Sequence, residues 1–268
     1  MGYRLNSSRN RLLKSVDDCL LTVKVFKKDI QIKFSSLNRS YFISEAEKEA
    51  RRAKRAKVLK FSKRSARRLR HVVRNSEDTW KAFITLTYPE HFSYDGRQVK
   101  SHLNVFLQYL RRRNIKYVWV LEFQQRGAAH FHILTSDFIS KTELSEVWYN
   151  IVNSKDEKHL LAGTQICSIK SKRHLYGYLS GYINKLHQKS VPEGFENVGR
   201  FWGASRNLLI FKLYQMIGHF YKLSRSIKLL RRWYKSYLRK FNIKWRWQQQ
   251  GFTMLDGVRC INFLFNYI

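Results

Sequence analysis

Acidic residues are scarce in this chain. Only 19 Asp and Glu stand against 52 Lys and Arg, a formal net charge of +33 over 268 residues. Such a surplus implies a polyanionic partner, most simply nucleic acid. Cysteine is scarce too. Cys19, Cys167 and Cys260 are odd in number and far apart, which argues against a disulfide framework or a zinc finger and fits a reducing cytoplasm. No apolar run reaches the length of a membrane-spanning helix. The N-terminus is polar and basic, with no apolar core leading to small residues, so neither a membrane partner nor a secretory signal is expected. No Gly-x-x-x-x-Gly-Lys-Ser/Thr segment is present, which argues against ATP binding by a P-loop. No internal repeat is evident.

What is there is apolar enough to fold. Hydrophobic residues make up 44% and aromatics 15%, and the length suits one good core plus an extension, or two small domains. Leu21, Val23 and Val25 alternate, as do Ile30, Ile32 and Phe34 after Lys27-Lys28-Asp29, which predicts a hairpin. Ser44, with Glu47 three residues on, has the form of a capping box and predicts a helix start. The run from Arg51 to Arg74 then carries twelve Lys and Arg and no acid. Its apolar stripe is thin. Helices usually balance their charges, so this run, with Arg51, Arg52, Arg67, Arg68 and Arg70 foremost, is expected to meet phosphates. A solvated face is the ordinary alternative.

Between residues 76 and 205 the pattern is β-α-β-β-α-β-α. Strands are predicted at 80–88, 116–123, 129–135 and 164–170, and helices at 97–113, 141–152 and 172–187. That order predicts an α+β domain, one antiparallel sheet with helices packed on it. A glycine-containing loop follows, ending Gly199-Arg200-Phe201-Trp202-Gly203. Residues 206–241 read as a basic, aromatic helix, and the tail alternates around Asp256-Gly257, a hairpin signal. The expected division is a basic N-terminal extension at 1–75, the α+β domain at 76–205 and a basic helical C-terminal extension at 206–268.

His130-Phe131-His132 lies on the strand after a turn containing Gly127. Strand alternation turns His130 and His132 to one face. A turn centred on Arg126 puts Glu122 opposite His130 on that same face. Two imidazoles and a carboxylate in one patch can hold a divalent metal while leaving positions open to substrate. Two strand histidines beside a surface acid is the bland alternative.

The segment Tyr178-Leu179-Ser180-Gly181-Tyr182-Ile183-Asn184-Lys185 supplies different chemistry. On a helix, Tyr178, Tyr182 and Lys185 share one face, next to the stripe Leu175, Leu179, Ile183 and Leu186. A tyrosine hydroxyl can attack phosphorus and become a covalent 5′-phosphotyrosine. Its pKa near 10 means that it needs a cation or metal beside it. Amphipathic tyrosines at a packing seam are the alternative.

Together these motifs make the chain resemble the HUH endonucleases, rolling-circle replication initiators of single-stranded DNA phages and small plasmids. The likeness covers about residues 80–205 and is nearest to the two-tyrosine initiators of icosahedral microviruses, and of filamentous phages and plasmids with similar initiators. Phe83-Ile84-Thr85-Leu86-Thr87-Tyr88 is similar to the first motif of that family. His130-Phe131-His132 is similar to the second, and Tyr178 to Lys185 to the third. The resemblance implies the HUH nuclease fold, with His130, His132 and Glu122 as ligands of Mg²⁺ or Mn²⁺. It implies Tyr182 as nucleophile, Lys185 as its electrostatic assistant and Tyr178 as the second tyrosine. Gly181 stands where many two-tyrosine relatives carry a basic residue, so Tyr178 lacks the cation three residues on that Tyr182 has. The implied partners are single-stranded DNA at a replication origin, a host helicase and a host DNA polymerase, in the cytoplasm of a bacterial host cell. A transposase or mobilisation relaxase would use the same chemistry. A non-catalytic nucleic-acid-binding protein would need the charge alone.

Overall fold

The computed structural model describes residues 19–26, 28–36, 49–50, 58, 60–76, 80–171, 175, 190–210, 212–240, 242 and 251–255. They fall into two compact units. One is Lys54–Leu209, and the other combines Met1–Ala53 with Ile210–Ile268.

In the second of these, β1 (Cys19–Phe26) and β2 (Asp29–Ser36) form the expected antiparallel hairpin. Val23 lies opposite Ile32 and Val25 opposite Ile30. All four are buried, so the alternation that marked these strands also marks their inner face. The flanking strands come from the far end of the chain. They are β8 (Lys212–His219) beside β1 and β9 (Gly251–Leu255) beside β2, giving the order β8-β1-β2-β9. The expected helix at 206–241 is thus a helix only from Phe220 to Arg239, called α5 here, and a strand before it. Pairing with β1 satisfies the backbone of Lys212–His219 across the sheet, and that partner is remote in sequence. The predicted hairpin at Asp256-Gly257 lies outside the described residues.

The other unit carries a five-stranded antiparallel sheet in the order β6-β3-β5-β4-β7. Its strands are β3 (Ala82–Thr87), β4 (Tyr117–Phe123), β5 (Ala129–Thr135), β6 (Thr164–Ser168) and β7 (Trp202–Ala204). Helices pack on it, and the architecture is α+β. α2 (Gly96–Arg112) is capped by the Asp95 carboxylate and buries Val99, Leu103, Phe106, Leu107 and Leu110, an apolar stripe at helical spacing within the helix predicted at 97–113. α3 (Lys141–Val152) is capped by Ser140 and buries Leu144 and Trp148. α2 and α3 are joined where the Tyr109 hydroxyl donates to Glu143 at 2.9 Å and Arg113 pairs with the same carboxylate. A short helix, α4 (Glu157–Ala162), precedes β6. Of the predicted helix at 172–187, Leu175 is described. It is helical and buried.

The basic run does not form one continuous helix. Residues 49–50 are helical, but Lys60 bridges to Ser190 as extended backbone, and α1 (Lys63–Asn75) begins afresh with Ser62 as its cap. Phe61 explains the break. It is buried, with its ring 6.3 Å from that of Phe201, and burying an aromatic outweighs one more helical turn. Ala66, Leu69 and Val73 of α1 join the same core as the sheet. Ser44, Glu47, Arg51 and Arg52 lie outside the described residues.

Candidate active site

The β4–β5 hairpin sets the site. Gln124 N–H donates to Ala128 O and Gly127 N–H to Gln124 O, both at 2.9 Å. Gly127 has φ +85°, a conformation glycine adopts without penalty. The turn is therefore centred on Arg126, and Glu122 pairs with His130 in register. On the other side of β5, His130 pairs with Thr87 and His132 with Thr85 of β3. Five polar side chains thus share one face across three strands: Glu122, His130, His132, Thr85 and Thr87.

They meet in pairs. His132 Nε2 lies 3.1 Å from Glu122 Oε2, and both side chains are almost wholly buried. The rings of His130 and His132 stand edge to face with centroids 4.6 Å apart. His130 Nδ1 is 3.1 Å from Thr87 Oγ1, and His132 Nδ1 is 3.4 Å from Thr85 Oγ1. In the tautomer where each Nδ1–H donates to its threonine, each Nε2 keeps its lone pair, which is how a ligating imidazole is oriented. The donor set of two nitrogens and a carboxylate suits a divalent ion. The 3.1 Å between Nε2 and Oε2 is also close to the roughly 3 Å that separates neighbouring ligands around an ion with bonds of about 2.1 Å. The residues present fit such an ion.

Several further groups hold this face in place. The Thr87 carbonyl accepts from Trp148 Nε1 at 2.7 Å and from the His159 ring at 2.8 Å, while Thr87 N–H donates to Gly163 O at 2.8 Å. Three contacts on one residue pin the end of β3 beside His130. Gly163 is required for this. A Cβ there would lie 2.4 Å from the His159 carbonyl and 2.7 Å from its Nε2. Arg126 donates to Tyr88 O at 2.6 Å and to Pro89 O at 2.7 Å, and so ties the hairpin tip to the chain leaving β3. Thr85 and Thr87 carry a sequence signal, their place in the first motif, and the pairing of β3 with β5 sets them beside the histidines. Trp148 and His159 carry no such signal, because their target is a backbone carbonyl.

The opposite face of the sheet carries Trp119 and Phe131. Lys100 of α2 sits against it, with Nζ 4.2 Å from the Trp119 ring centroid and 2.6 Å from Arg200 O. Burial pushes the Lys100 ammonium from its ordinary value near 10.5 down to about 7. Gly203 of β7 has its own reason: a Cβ there would meet Trp119 Nε1 at 2.7 Å. The segment from Gly199 to Gly203 therefore closes the sheet edge against β4. In the first motif, Tyr88 is buried against His102 and Trp148, and burial pushes its phenol up, away from nucleophilic use.

Tyr178, Tyr182 and Lys185 lie outside the described residues, as do Arg51 and Arg52. Arg67 and Arg68 are exposed on α1. Arg70 is half-buried, with its Nε 3.4 Å from Ala66 O.

Residues 81–187 match the family described as replication-associated protein ORF2/G2P. The matched stretch runs from β3 through β6 and includes both the histidine pair and the tyrosine segment. It is similar to proteins of DNA replication and is consistent with a rolling-circle replication initiator; DNA is the partner such a protein binds. No curated protein and no solved structure matches the chain. Among the described residues, no helix is long and apolar enough to cross a membrane.

Proposed function

We propose that the chain is a site-specific single-stranded DNA endonuclease and strand transferase that initiates rolling-circle replication in a bacterial cell. The observation that carries this reading is the polar face of Glu122, His130 and His132 on paired strands, inside a stretch similar to replication-associated proteins. His130, His132 and Glu122 would hold a divalent ion, Mg²⁺ or Mn²⁺. When bound, the ion supplies charge that polarises the scissile phosphate. The Tyr182 oxygen attacks that phosphorus, a phosphotyrosine bond forms, and the bond to the 3′ oxygen breaks. The 3′ oxygen takes a proton and leaves as a hydroxyl. Lys185 stabilises the phenolate and the charged phosphoryl group. The free 3′-hydroxyl primes a host polymerase, a host helicase unwinds the duplex, and a later attack by a 3′-hydroxyl on the phosphotyrosine rejoins the strand. Tyr178 serves that second stage if two tyrosines alternate.

A transposase or relaxase shares every step up to the choice of DNA, whereas a non-catalytic binder shares none. The test is covalency. Full-length protein is incubated with labelled single strands from its own replicon and Mn²⁺, then denatured. A label that stays on the protein, is lost in Tyr182→Phe and maps to one position supports the reading. No adduct at any strand or metal concentration, with tight binding retained, would leave a nucleic-acid-binding protein. Adduct loss in Tyr178→Phe instead would reverse the tyrosine assignment.

A further inference from the structure

α5 contains seven Lys and Arg and no acid. Its inner face is settled, because Leu230, Tyr234 and Leu238, four residues apart, are buried. Lys228, Arg232, Lys235 and Arg239 are all exposed. They stand at i, i+4, i+7 and i+11, which places them in one row along the helix. At 1.5 Å per residue the row runs about 16 Å. Among the described residues none of the four makes an ion pair. Like charges three and four apart weaken a helix in water, so this row is maintained against its own repulsion unless a polyanion meets it.

Between Lys228 and Arg239 the rings do not lie in the row. Trp233 and Tyr237 are half-buried and stack on each other, with centroids 5.6 Å and planes 14° apart. Both lie about 100° or more around the helix from the row. A single strand is held by stacking its bases on rings set among cations. A row of cations without a ring offers charge alone. That suits the outside of a duplex, whose bases are turned inward and whose phosphates come at about one per 1.7 Å of axis.

We propose that the outer face of α5 is a docking face for double-stranded DNA, with Lys228, Arg232, Lys235 and Arg239 as its phosphate contacts. The face belongs to the unit built from the two ends of the chain, and the histidine pair belongs to the other. The proposal stands whether or not the protein nicks DNA.

The experiment uses full-length protein in EDTA, where metal-dependent cleavage is silent. Fluorescence anisotropy over a salt series measures binding to a short duplex and to the matching single strand. Replacing all four residues by Gln is expected to flatten the duplex log–log salt slope by about 3.6, the value for four duplex contacts, and the single-strand slope by less than about 1. Lys228→Arg with Lys235→Arg, which keeps the charge, is expected to retain the wild-type slope. If the fourfold variant loses helical circular dichroism, Arg232→Gln and Arg239→Gln carry the test singly, at about 0.9 each. An unchanged duplex slope overturns the proposal and leaves a solvated face, or one that meets another polyanion such as an acidic protein. Equal flattening on duplex and single strand overturns the choice of duplex.

Discussion

At the residue scale, the site is a set of neighbours across strands, and its orienting groups are as testable as the proposed ligands. Thr87 meets His130 at Nδ1 through a side chain whose own backbone is pinned by Trp148, His159 and Gly163. Thr87→Val keeps the shape and removes the hydroxyl. Mn²⁺ affinity measured by titration calorimetry should fall about 10- to 100-fold, the usual cost of losing a group that orients a ligand. Adduct formation should recover as Mn²⁺ is raised. Unchanged affinity would show that the hydroxyl does not orient the ring. Lys100 gives a prediction in pH. Its amine titrates near 7 when folded and near 10.4 when unfolded. Between those values the unfolded chain binds the extra proton, so stability rises with pH across the window. Below pH 7 both states are charged, and the burden of the buried ammonium is felt in full. Lys100→Met should therefore raise the melting temperature most near pH 6–7 and least near pH 10. A gap that does not change with pH would mean the Arg200 carbonyl and the Trp119 ring keep this ammonium charged throughout.

At the element scale, α1 shows how a charge run divides its labour. Ala66, Leu69 and Val73 bind it to the core, Arg67 and Arg68 face water, and Arg70 turns back toward Ala66 O. The sequence marks all three arginines alike as phosphate contacts; in the structure Arg67 and Arg68 are exposed and Arg70 is half-buried. Arg67→Gln with Arg68→Gln should flatten the salt dependence of binding by about 1.8 on duplex or 1.4 on single strand, for two contacts. Adding Arg70→Gln should add little. A full further step on adding it would show that Arg70 leaves its helix to reach DNA. The same helix shows what was legible. Its stripe, the stripe of α2 and the Glu122–His130 register were readable because each rests on local period or on a short turn. The break at Phe61 and the strand Lys212–His219 were not. One depends on a ring finding Phe201, the other on pairing with β1 from the opposite end of the chain. β7, with three residues, and α4, with six, are too short for periodicity to register. The role of Gly203 is visible only once Trp119 is beside it.

At the scale of the whole molecule, the proposed function assigns the charge and the site to different steps. A net charge of +33 raises the local concentration of a polyanion such as DNA and speeds encounter, and salt screens it. The histidine face is different. His132 and Glu122 are nearly inaccessible to water, and buried charges are screened far less than exposed ones. Cleavage of a labelled origin strand should therefore show a kcat/KM that falls steeply with salt. If five phosphates are neutralised on a single strand, the log–log slope should be about −3.5. The kcat at saturating DNA should change little over the same range. That separation follows from where the charges sit: on the proposed reading the exposed cations of α1 and α5 contribute before the strand is seated, and the groups on β3, β4 and β5 after. A kcat that falls in parallel with kcat/KM would mean that exposed cations take part in the chemical step itself. The roles assigned to the arginine-rich helix and to the buried polar face would then have to be merged.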